Sequence, residues 1–469
     1  MIEFHPLRIE DRATIERYTL PSGSRNCDLA FANMYCWQEL YRSAWAIIDD
    51  FLVIRFHIDG GTRIGYTQPL GPGDFTPIIP LLRDDARTCG NQPLRLFGLT
   101  DEGCALLRDA FPDAFACASD RSFDDYIYLA DDLRNLPGRR YQPKRNHFNR
   151  FRAEYPDHRY EELTPARFAE CMTLERQWRR AHEGHISELC AEQRAMQRAF
   201  DHFDALGLRG GCLYVGERLV AFTYGSAVSG DTFVTHVEKA DTAFEGAFTA
   251  INKLFAEHLP ERFRWINREE DLGIEGLRHA KLSYHPAELF RKFSARELCD
   301  NEKACKELWQ TVFGDNEAFI DAFLLRHYAP QRMLSVERDG HMVSMLHILP
   351  FECEAGRASY IYGVATHPDF RCQGFASQLM QQAVELCDRQ GDDALFLIPT
   401  PGMPQLRDFY ARFGFTGSLP VAFRTPDGFD FGTGSPADDL AMLRLRNPQA
   451  AFSSLSALSS LTATLRTSH

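Results

Sequence analysis

Hydrophobic and polar positions follow a repeated order in the later two thirds of the chain. In the copy nearer the C-terminus, two apolar runs within 333–349 meet at Asp339-Gly340, a dipeptide that tolerates positive φ and favours a hairpin turn. The pattern then predicts an apolar strand at 360–366, a helix over 373–390 and a second apolar strand at 394–400.

An earlier segment predicts the same order of elements. Apolar runs within 212–225 and 232–240 precede a helical period at 245–259 and a strand at 263–269. The hairpin glycine and the helix-start glycine are 30 residues apart in this copy (Gly216 to Gly246) and 34 apart in the later one (Gly340 to Gly374). The similar spacing indicates one architecture used twice.

The remaining segments complete the expected domain organisation. Residues 1–135 contain two strand-like runs, WAIIDDFLVIRFHI and LRLFGL, and one helical run, DEGCALLRDAF, which predict a further mixed unit. A new helical register at 297–325 places a junction between domains 1–297 and 298–446. The Ser- and Thr-rich end, 447–469, is expected to be a flexible tail, because it has little apolar surface to offset its ordering entropy.

Composition narrows the class of protein. The 469 residues are 44% hydrophobic and 25% charged, as in ordinary folded domains. No apolar run has the length of a membrane helix and the first residues lack a signal-peptide pattern, so a soluble cytoplasmic protein is expected. The net charge of −13 argues against a general basic surface for nucleic acid or anionic lipid.

Cysteine and histidine spacing predicts no metal site. The 13 cysteines are scattered and odd in number, without a C-x-x-C pair, which favours reduced thiols over disulfides or a zinc ribbon. The run HEGH at 182–185 is one residue short of the H-E-x-x-H spacing that places two ligands on one helical face.

The segment VATHPDFRCQGFASQLM, 364–380, has the composition of a phosphate-binding turn. Arg371, Gly374 and Ala376 form the spacing R-x-x-G-x-A between a strand and a helix. Unpaired N–H groups and the positive end of the helix dipole favour a diphosphate at such a helix start. The small residues let the phosphates approach the backbone closely.

This segment resembles the acyl-CoA-binding motif of the GNAT family of N-acetyltransferases, and LRDFYARFGF, 406–415, resembles the L-Y-x-x-x-G-F ending of that family. The resemblance covers most of 298–445. It implies a mixed α/β fold (α+β) with a central mixed sheet flanked by helices. The residues that it implies for binding acetyl-CoA are Val364, Ala365, Arg371, Cys372, Gln373, Gly374, Phe375, Ala376 and Ser377.

The resemblance also implies the direct transfer of an acyl group from acetyl-CoA to an amine, carried by a small molecule or a peptide. The backbone N–H of Val364 or a neighbour is expected to bind the thioester carbonyl and stabilise the oxyanion. Tyr410 is the candidate general acid for the leaving thiolate. Glu352 and Glu354, or His347, are candidate bases, although solvated surface positions are an equally good interpretation of them.

A basic stretch stands out in this acidic chain. LPGRRYQPKRNHFNRFR, 136–152, contains six basic residues and no acidic one, interleaved with aromatic residues. It could hold the phosphates of a nucleotide, CoA or tRNA. It could equally form a solvated helix face with its aromatic side chains packed inward.

Three runs, KRNHFNRFRAEYP, HVEKAD and NREEDLGIEGLRHAKLSYHP, resemble the DUF2156 family, which is related to the catalytic domain of phosphatidylglycerol lysyltransferases. The resemblance covers about 1–295 and implies two GNAT-like halves, approximately 1–135 and 136–297. At matching positions it implies a substrate-binding set without assigned roles: Lys144, Arg145, Asn146, Glu238, Lys239, Asn267, Arg268, Glu269, Asp271, Arg278 and Lys281.

One departure and three functional interpretations remain. Ala243 stands where R-x-x-G would need an arginine before Gly246, so this copy is not expected to bind CoA as the later one does. The first interpretation is an acetyl-CoA-dependent N-acyltransferase with a DUF2156 module for acceptor binding or a second transfer. The second is a tRNA-dependent aminoacyltransferase in which 136–152 grips the acceptor stem. The third is a non-catalytic sensor of a ligand or acyl-CoA.

Overall fold

A computed structural model of the protein describes residues 2–90, 92–180, 186–446 and 460–466, with the side chains of 186–189 excepted. The chain forms two compact units. The N-terminal unit comprises Met1–Pro112 and Ser119–Arg296, and the C-terminal unit comprises Asp113–Ala118 and Glu297–His469. The short segment 113–118 thus belongs to the same unit as the C-terminal third of the chain.

The first sheet of the N-terminal unit contains most of the strands of residues 1–135, together with one strand from the end of this unit. Its strands include, in spatial order, His5–Pro6, Ala44–Ile48, Phe51–Ile58, Arg63–Thr67, Arg95–Leu99 and Phe293–Glu297. The α-helices in this part of the chain are Arg12–Thr19, Phe31–Cys36, Gln38–Tyr41, Ile79–Thr88 and Asp101–Ala110.

The second sheet holds the earlier copy of the repeat. Its strands are, in spatial order, Glu288–Phe290, Asp125–Leu129, Trp265–Asn267, Thr232–Ala240, Arg218–Ala227, Arg209–Val215 and His158–Glu162. Among these described strands, Thr232–Ala240 and Trp265–Asn267 run parallel to each other and the other pairings are antiparallel. The parallel pairing ends at Val234 and Asn267. The α-helices of this part are Ala130–Asn135, Gln142–Glu154, Phe168–Arg180, Ile186–Asp201, Ala247–His258 and Glu275–Leu282.

Both faces of the second sheet are covered. On one face, Ala250 and Ile251 of the helix Ala247–His258 pack with Val220 of the sheet, together with Phe148 and Phe151 of Gln142–Glu154, the basic helix. On the other face, the core includes Cys171 and Leu174 of Phe168–Arg180 and Phe222 and Tyr224 of the sheet. A cleft in this sheet therefore opens between two different helical layers.

The third sheet forms the C-terminal unit. Its strands are, in spatial order, Met333–Arg338, His341–Cys353, Gly356–Thr366, Ala394–Leu397, Leu440–Leu445, Thr416–Arg424 and Leu461–Leu465. The α-helices are Asp300–Phe313, Glu317–Arg326, Phe375–Gln390 and Pro404–Ala411. Asp339 and Gly340 form the predicted hairpin turn with φ of 52° and 78°, and the order of elements repeats that of the second sheet.

The C-terminal end differs from the expected flexible tail. Leu461–Leu465 is a strand that pairs with Thr416–Arg424 and with Phe351 and Glu352. Leu461 and Ala463 are fully buried, because alternate residues of a strand face the same side of the sheet. The overall Ser- and Thr-rich composition did not indicate this alternation. The rest of this segment, 447–459 and 467–469, lies outside the described residues.

Candidate functional site

The turn before the helix Phe375–Gln390 is open. Gly374 caps this helix with a φ of 86°, and Cys372 has a φ of 61°. A Cβ atom at Gly374 would have nothing within 4 Å. Because the first N–H groups of an α-helix have no acceptor within it, Phe375, Ala376 and Ser377 offer donors at this opening. Arg371 is exposed beside them, and its Nε lies 3.4 Å from the Thr366 carbonyl oxygen.

The two strands next to this turn separate. Gly356–Thr366 and Ala394–Leu397 pair in parallel over three residues only, and the pairing ends at Tyr360 and Phe396. A cleft therefore opens between the strands at the end where Gly356–Thr366 leads into the turn.

A β-bulge shapes the wall of this cleft. Met345 pairs with Ala365 and His347 with Tyr362, so Gly363 and Val364 together face Leu346 alone. A bulge interrupts the ladder and changes the direction of a backbone N–H. Val364 lies in the bulge and is partly buried, whereas the Ala365 carbonyl accepts a hydrogen bond from Ser344 Oγ.

Tyr410 lies in the apolar cluster beneath the cleft. It is 7% exposed and shares this cluster with Phe375, the first residue of the helix, and Leu397, the last residue of the separating strand. Burial raises the pKa of the Tyr410 hydroxyl to about 12. The group is therefore a protonated phenol at neutral pH.

The structure does not bring Glu352 and Glu354 to this cleft. Glu352 pairs with Arg357 at the opposite end of the strand, and Glu354 accepts from the Thr462 N–H. Eight residues separate Gly356 from Val364, and at about 3.3 Å per residue this is a separation of about 26 Å. The turn between His341–Cys353 and Gly356–Thr366 lies at the end of the sheet where the strands stay paired. The sequence alone did not show at which end of the sheet Glu352 and Glu354 would lie.

His347 is enclosed by aromatic rings. It is 2% exposed, packs against Trp309 and Phe323, and its Nε2 lies 3.6 Å from the Cys305 sulfur. Burial lowers its pKa to about 3. It is therefore a poor proton acceptor at neutral pH.

Two acidic residues that the sequence did not single out act on Tyr362, in the strand beside the cleft. Burial, and then the charges of Asp315 and Asp430, raise the pKa of Tyr362. Asp315 also accepts a hydrogen bond of 2.9 Å from the Trp309 indole. These residues come from two loops far apart in the sequence, so no local pattern could connect them.

In the N-terminal unit the corresponding turn is closed. Gly246 has a φ of 89°, close to that of Gly374, and a Cβ atom there would lie 3.0 Å from the His147 carbonyl oxygen and 3.1 Å from Phe151 Cβ. The basic helix thus covers the helix start that would otherwise receive a diphosphate. This turn also has Ala243 at the position where the R-x-x-G spacing would have an arginine.

The parted strands of the N-terminal unit are joined by an ion pair and by a hydrogen bond. Beyond Asn267, Arg268 Nη2 lies 2.8 Å from Glu238 Oε1, and His236 Nδ1 lies 2.9 Å from Glu269 Oε1. Polar side chains therefore cross the cleft of the second sheet, at the place that corresponds to the open cleft of the third sheet.

Several polar groups surround the Arg268 guanidinium. Lys144 Nζ lies 3.9 Å from the centre of the Tyr284 ring, and burial followed by the Arg268 charge lowers the Lys144 pKa to about 8. Arg268 Nη1 and Asn252 Oδ1 are buried without a hydrogen-bond partner among the described residues. Asn252 Nδ2 donates to Glu238 Oε2 at 3.1 Å. A donor and an acceptor thus remain available to a ligand.

Other residues of the predicted N-terminal set have structural partners. Asp271 accepts from Tyr126 at 2.6 Å and from Arg278 at 2.8 Å, and these bonds hold its pKa near 2 against the effect of burial. Lys281 Nζ donates to the backbone carbonyls of Arg268 and Glu270. These residues shape the loop that carries Arg268.

Three residues of the set lie away from the polar cleft. Lys239 Nζ pairs with Glu192 at 2.9 Å and lies 3.7 Å from the Trp178 ring, on the opposite side of the strand from Glu238. Arg145 donates to the backbone carbonyls of Leu136 and Gly138, and the Asn146 side chain is exposed.

Asn267 belongs to a buried charged cluster. Its Nδ2 donates to Asp125 at 2.8 Å. Cys27, Asp125 and Glu270 have ligand atoms close enough to share a metal ion, but Lys292 Nζ lies 2.5 Å from Glu270 and 3.0 Å from Asp125. The ammonium supplies the cation that this group needs. The run HEGH lies outside the described residues.

Two family models that match the chain place it in the class of acyltransferases with GNAT-type domains. The chain belongs to the family described as Phosphatidylglycerol lysyltransferase, C-terminal, which matches residues 21–296. The Acetyltransferase (GNAT) domain matches residues 297–417. Every helix in the part of the chain that the structure describes is too short or too polar to span a lipid bilayer.

Solved structures resemble the chain. A conserved protein of unknown function from Bacteroides thetaiotaomicron is 43% identical over 64% of this chain and 100% of its own, with a TM-score of 0.61. L-PGS from Bacillus licheniformis is 14% identical over 62% and 93%, with a TM-score of 0.45. A GNAT family N-acetyltransferase from Escherichia coli in complex with CoA is 15% identical over 36% and 87%, with a TM-score of 0.27. No curated protein sequence matches the chain.

Proposed function

We propose that the C-terminal unit transfers an acetyl group from acetyl-CoA to an amine of a small molecule or a peptide. One observation carries the proposal. The pairing between two parallel strands ends at Tyr360 and Phe396, and the strand that continues leads into the open turn at Gly374. A cleft beside a helix start with free space provides for both the thioester and the diphosphate.

Each role falls to a particular part of this cleft. Arg371 and the N–H groups of 374–377 hold the diphosphate by charge and hydrogen bonding. The Val364 N–H, directed by the bulge, donates to the carbonyl oxygen as negative charge develops there. Tyr410 gives its proton to the leaving sulfur, since burial keeps the hydroxyl protonated. The acceptor amine approaches along the side of Tyr362 near Asp315 and Asp430.

Cys372 provides a direct test, because it is exposed within the turn. We expect acetyl-CoA to protect it from alkylation by iodoacetamide, while Cys89 and Cys299, also exposed, react at unchanged rates in the same sample. Mass spectrometry of the digested protein measures all three rates together. Equal rates at Cys372 with and without acetyl-CoA would remove the diphosphate site from the proposal.

A second candidate function, transfer of an amino acid from an aminoacyl-tRNA, has support in the N-terminal unit. Arg268 Nη1 and Asn252 Oδ1 are buried without partners among the described residues. The guanidinium suits an ester carbonyl, and the amide oxygen suits an ammonium group. An aminoacyl ester carries both groups on neighbouring carbon atoms.

Binding of lysyl-tRNA at increasing salt concentration tests this second function. Contacts to several phosphates predict a steep fall in affinity with ionic strength, whereas acetyl-CoA binding should change little. Arg268→Lys should weaken aminoacyl transfer at least tenfold. Arg264→Lys makes the same change at an exposed position and serves as the matched control. Transfer that is equally fast in both variants would count against the aminoacyl site.

A further inference from the structure

Three side chains of the N-terminal unit form a continuous hydrogen-bonded line. Ser226 Oγ lies 2.8 Å from His236 Nε2, and His236 Nδ1 lies 2.9 Å from Glu269 Oε1. Asn33 Nδ2 donates to the same Glu269 oxygen at 3.2 Å. Because that Glu269 oxygen accepts from Asn33, it is the acceptor for His236 as well, so Nδ1 carries the proton. In the neutral imidazole, Nε2 then accepts from the Ser226 hydroxyl. This is the arrangement that activates a serine nucleophile.

The strand geometry directs His236 into this line. Tyr224 pairs with Val237 and Gly225 with Thr235, so His236 is the extra residue of a β-bulge. Bulges are common beside active sites, where they change the direction of a side chain. Glu269 follows the end of the neighbouring strand with a φ of 55°, which is unusual for a residue other than glycine. Two local irregularities therefore meet at one histidine.

A charged cavity adjoins the serine. It has a volume of about 110 Å³, and Ser226 lines it together with Arg12, Glu16, Arg209 and Arg262. Arg12 is paired with Glu16 at 2.8 Å. The lining thus has three guanidinium groups and one carboxylate, and its excess positive charge favours an anion. The volume suits a small group such as a phosphate or a short acyl chain.

We propose that Ser226 is the nucleophile of a second acyl-transfer centre, whose donor is a small acyl group on a phosphate leaving group. Ser226 Oγ forms a bond to the acyl carbon, and the bond from that carbon to the phosphate oxygen breaks. The hydroxyl proton passes to His236 Nε2 and leaves with the phosphate. When an amine or water attacks the acyl-serine, its proton returns to Oγ. Glu269 is a positioning residue that fixes the imidazole tautomer.

This centre lies in the N-terminal unit and the proposed acetyl-CoA cleft lies in the C-terminal unit, so an experiment can refute either proposal without the other. The full chain is treated with acetyl phosphate and, in parallel, with diisopropyl fluorophosphate, and modified peptides are located by mass spectrometry. We expect modification of Ser226 with both probes. His236→Gln should slow it at least 100-fold, and Ser229→Ala, which removes a buried serine three residues away on the same hairpin, should leave the rate unchanged.

Two outcomes would overturn the proposal: a folded wild-type protein in which neither probe modifies Ser226, or equal rates in wild type and His236→Gln. Circular dichroism establishes that each variant is folded. The role of Glu269 has its own readout. Proton NMR should show a strongly downfield Nδ1–H resonance of His236 that is lost in Glu269→Gln, and its presence in that variant would contradict the positioning role.

Discussion

The His147 carbonyl oxygen lies beside the space that a side chain at Gly246 would need, at 3.0 Å from the Cβ position. The equivalent position in the other repeat, Gly374, has nothing within 4 Å. The two glycines have almost the same backbone conformation, with φ of 89° and 86°. The repeats therefore share a backbone turn and differ in what covers it.

These two glycines form a matched pair of substitutions. Gly246→Ala and Gly374→Ala should each cost about 1–2 kcal/mol, because alanine is strained at positive φ. Gly246→Ala should cost a further amount, on the order of 1 kcal/mol, because the basic helix must move to admit the methyl group. Hydrogen exchange of amides in each unit measures the two losses separately. Equal losses would contradict the closed turn.

Ala376→Glu should abolish most of the acetyl-CoA affinity. Its carboxylate would take the helix N-terminus and repel the diphosphate, so we expect the Kd to rise at least tenfold, or about 1.4 kcal/mol. Gln382→Glu makes an equal change of charge on the exposed side of the same helix and should bind acetyl-CoA normally. Titration calorimetry compares the two, and an unchanged Kd in Ala376→Glu would contradict the site.

Tyr410→Phe should lower turnover by 10²-fold or more while acetyl-CoA affinity stays within about twofold, since only the proton donor is lost. Burial holds the Tyr410 pKa at about 12, so the wild-type activity should show no loss from its ionisation up to about pH 10. Steady-state kinetics across this pH range and binding measurements check both points. Unchanged turnover in the variant would remove Tyr410 from the reaction.

Protonation of His347 should lower the free energy of unfolding of the C-terminal unit in acid. Burial lowers its pKa from 6.5 to about 3, so the unfolded chain binds the proton more strongly. The stability that depends on neutral His347 is complete above pH 6.5 and is lost as the pH falls toward 3. Between pH 7 and pH 5 this loss is about 2 kcal/mol.

Urea unfolding at the two pH values measures the effect. The variant His347→Leu lacks the titrating group and should show a smaller difference between the two pH values. The same pH dependence in wild type and variant would refute this account.

Local sequence signals predicted the elements of both repeats. The helix predicted over 373–390 is observed over Phe375–Gln390, because Gly374 and Gly391, both at positive φ, begin and end it. Asp339 and Gly340 likewise form the turn of the predicted hairpin. These features depend on the backbone preferences of a few neighbouring residues, which a single sequence displays directly.

Features that depend on distant contacts were not predictable in this way. The basic stretch was recognised, but nothing in it indicated that His147 would cover Gly246. The sequence makes Glu352 and Glu354 candidate bases, but it does not show which end of their strand lies beside the cleft. The line from Ser226 to Glu269 requires a one-residue register shift at His236, and alternation of apolar residues does not specify such a shift.

The segment 113–118 limits how the protein can be divided. Its Cys117 N–H donates to the buried Asp321 carboxylate at 2.9 Å, and its Ala114 carbonyl accepts from the Leu298 N–H at 2.8 Å. A fragment that starts at residue 297 would lack both bonds. We therefore expect that expression of the C-terminal unit by itself needs these six residues grafted onto it, and an exchange of modules between related genes would need two crossovers instead of one.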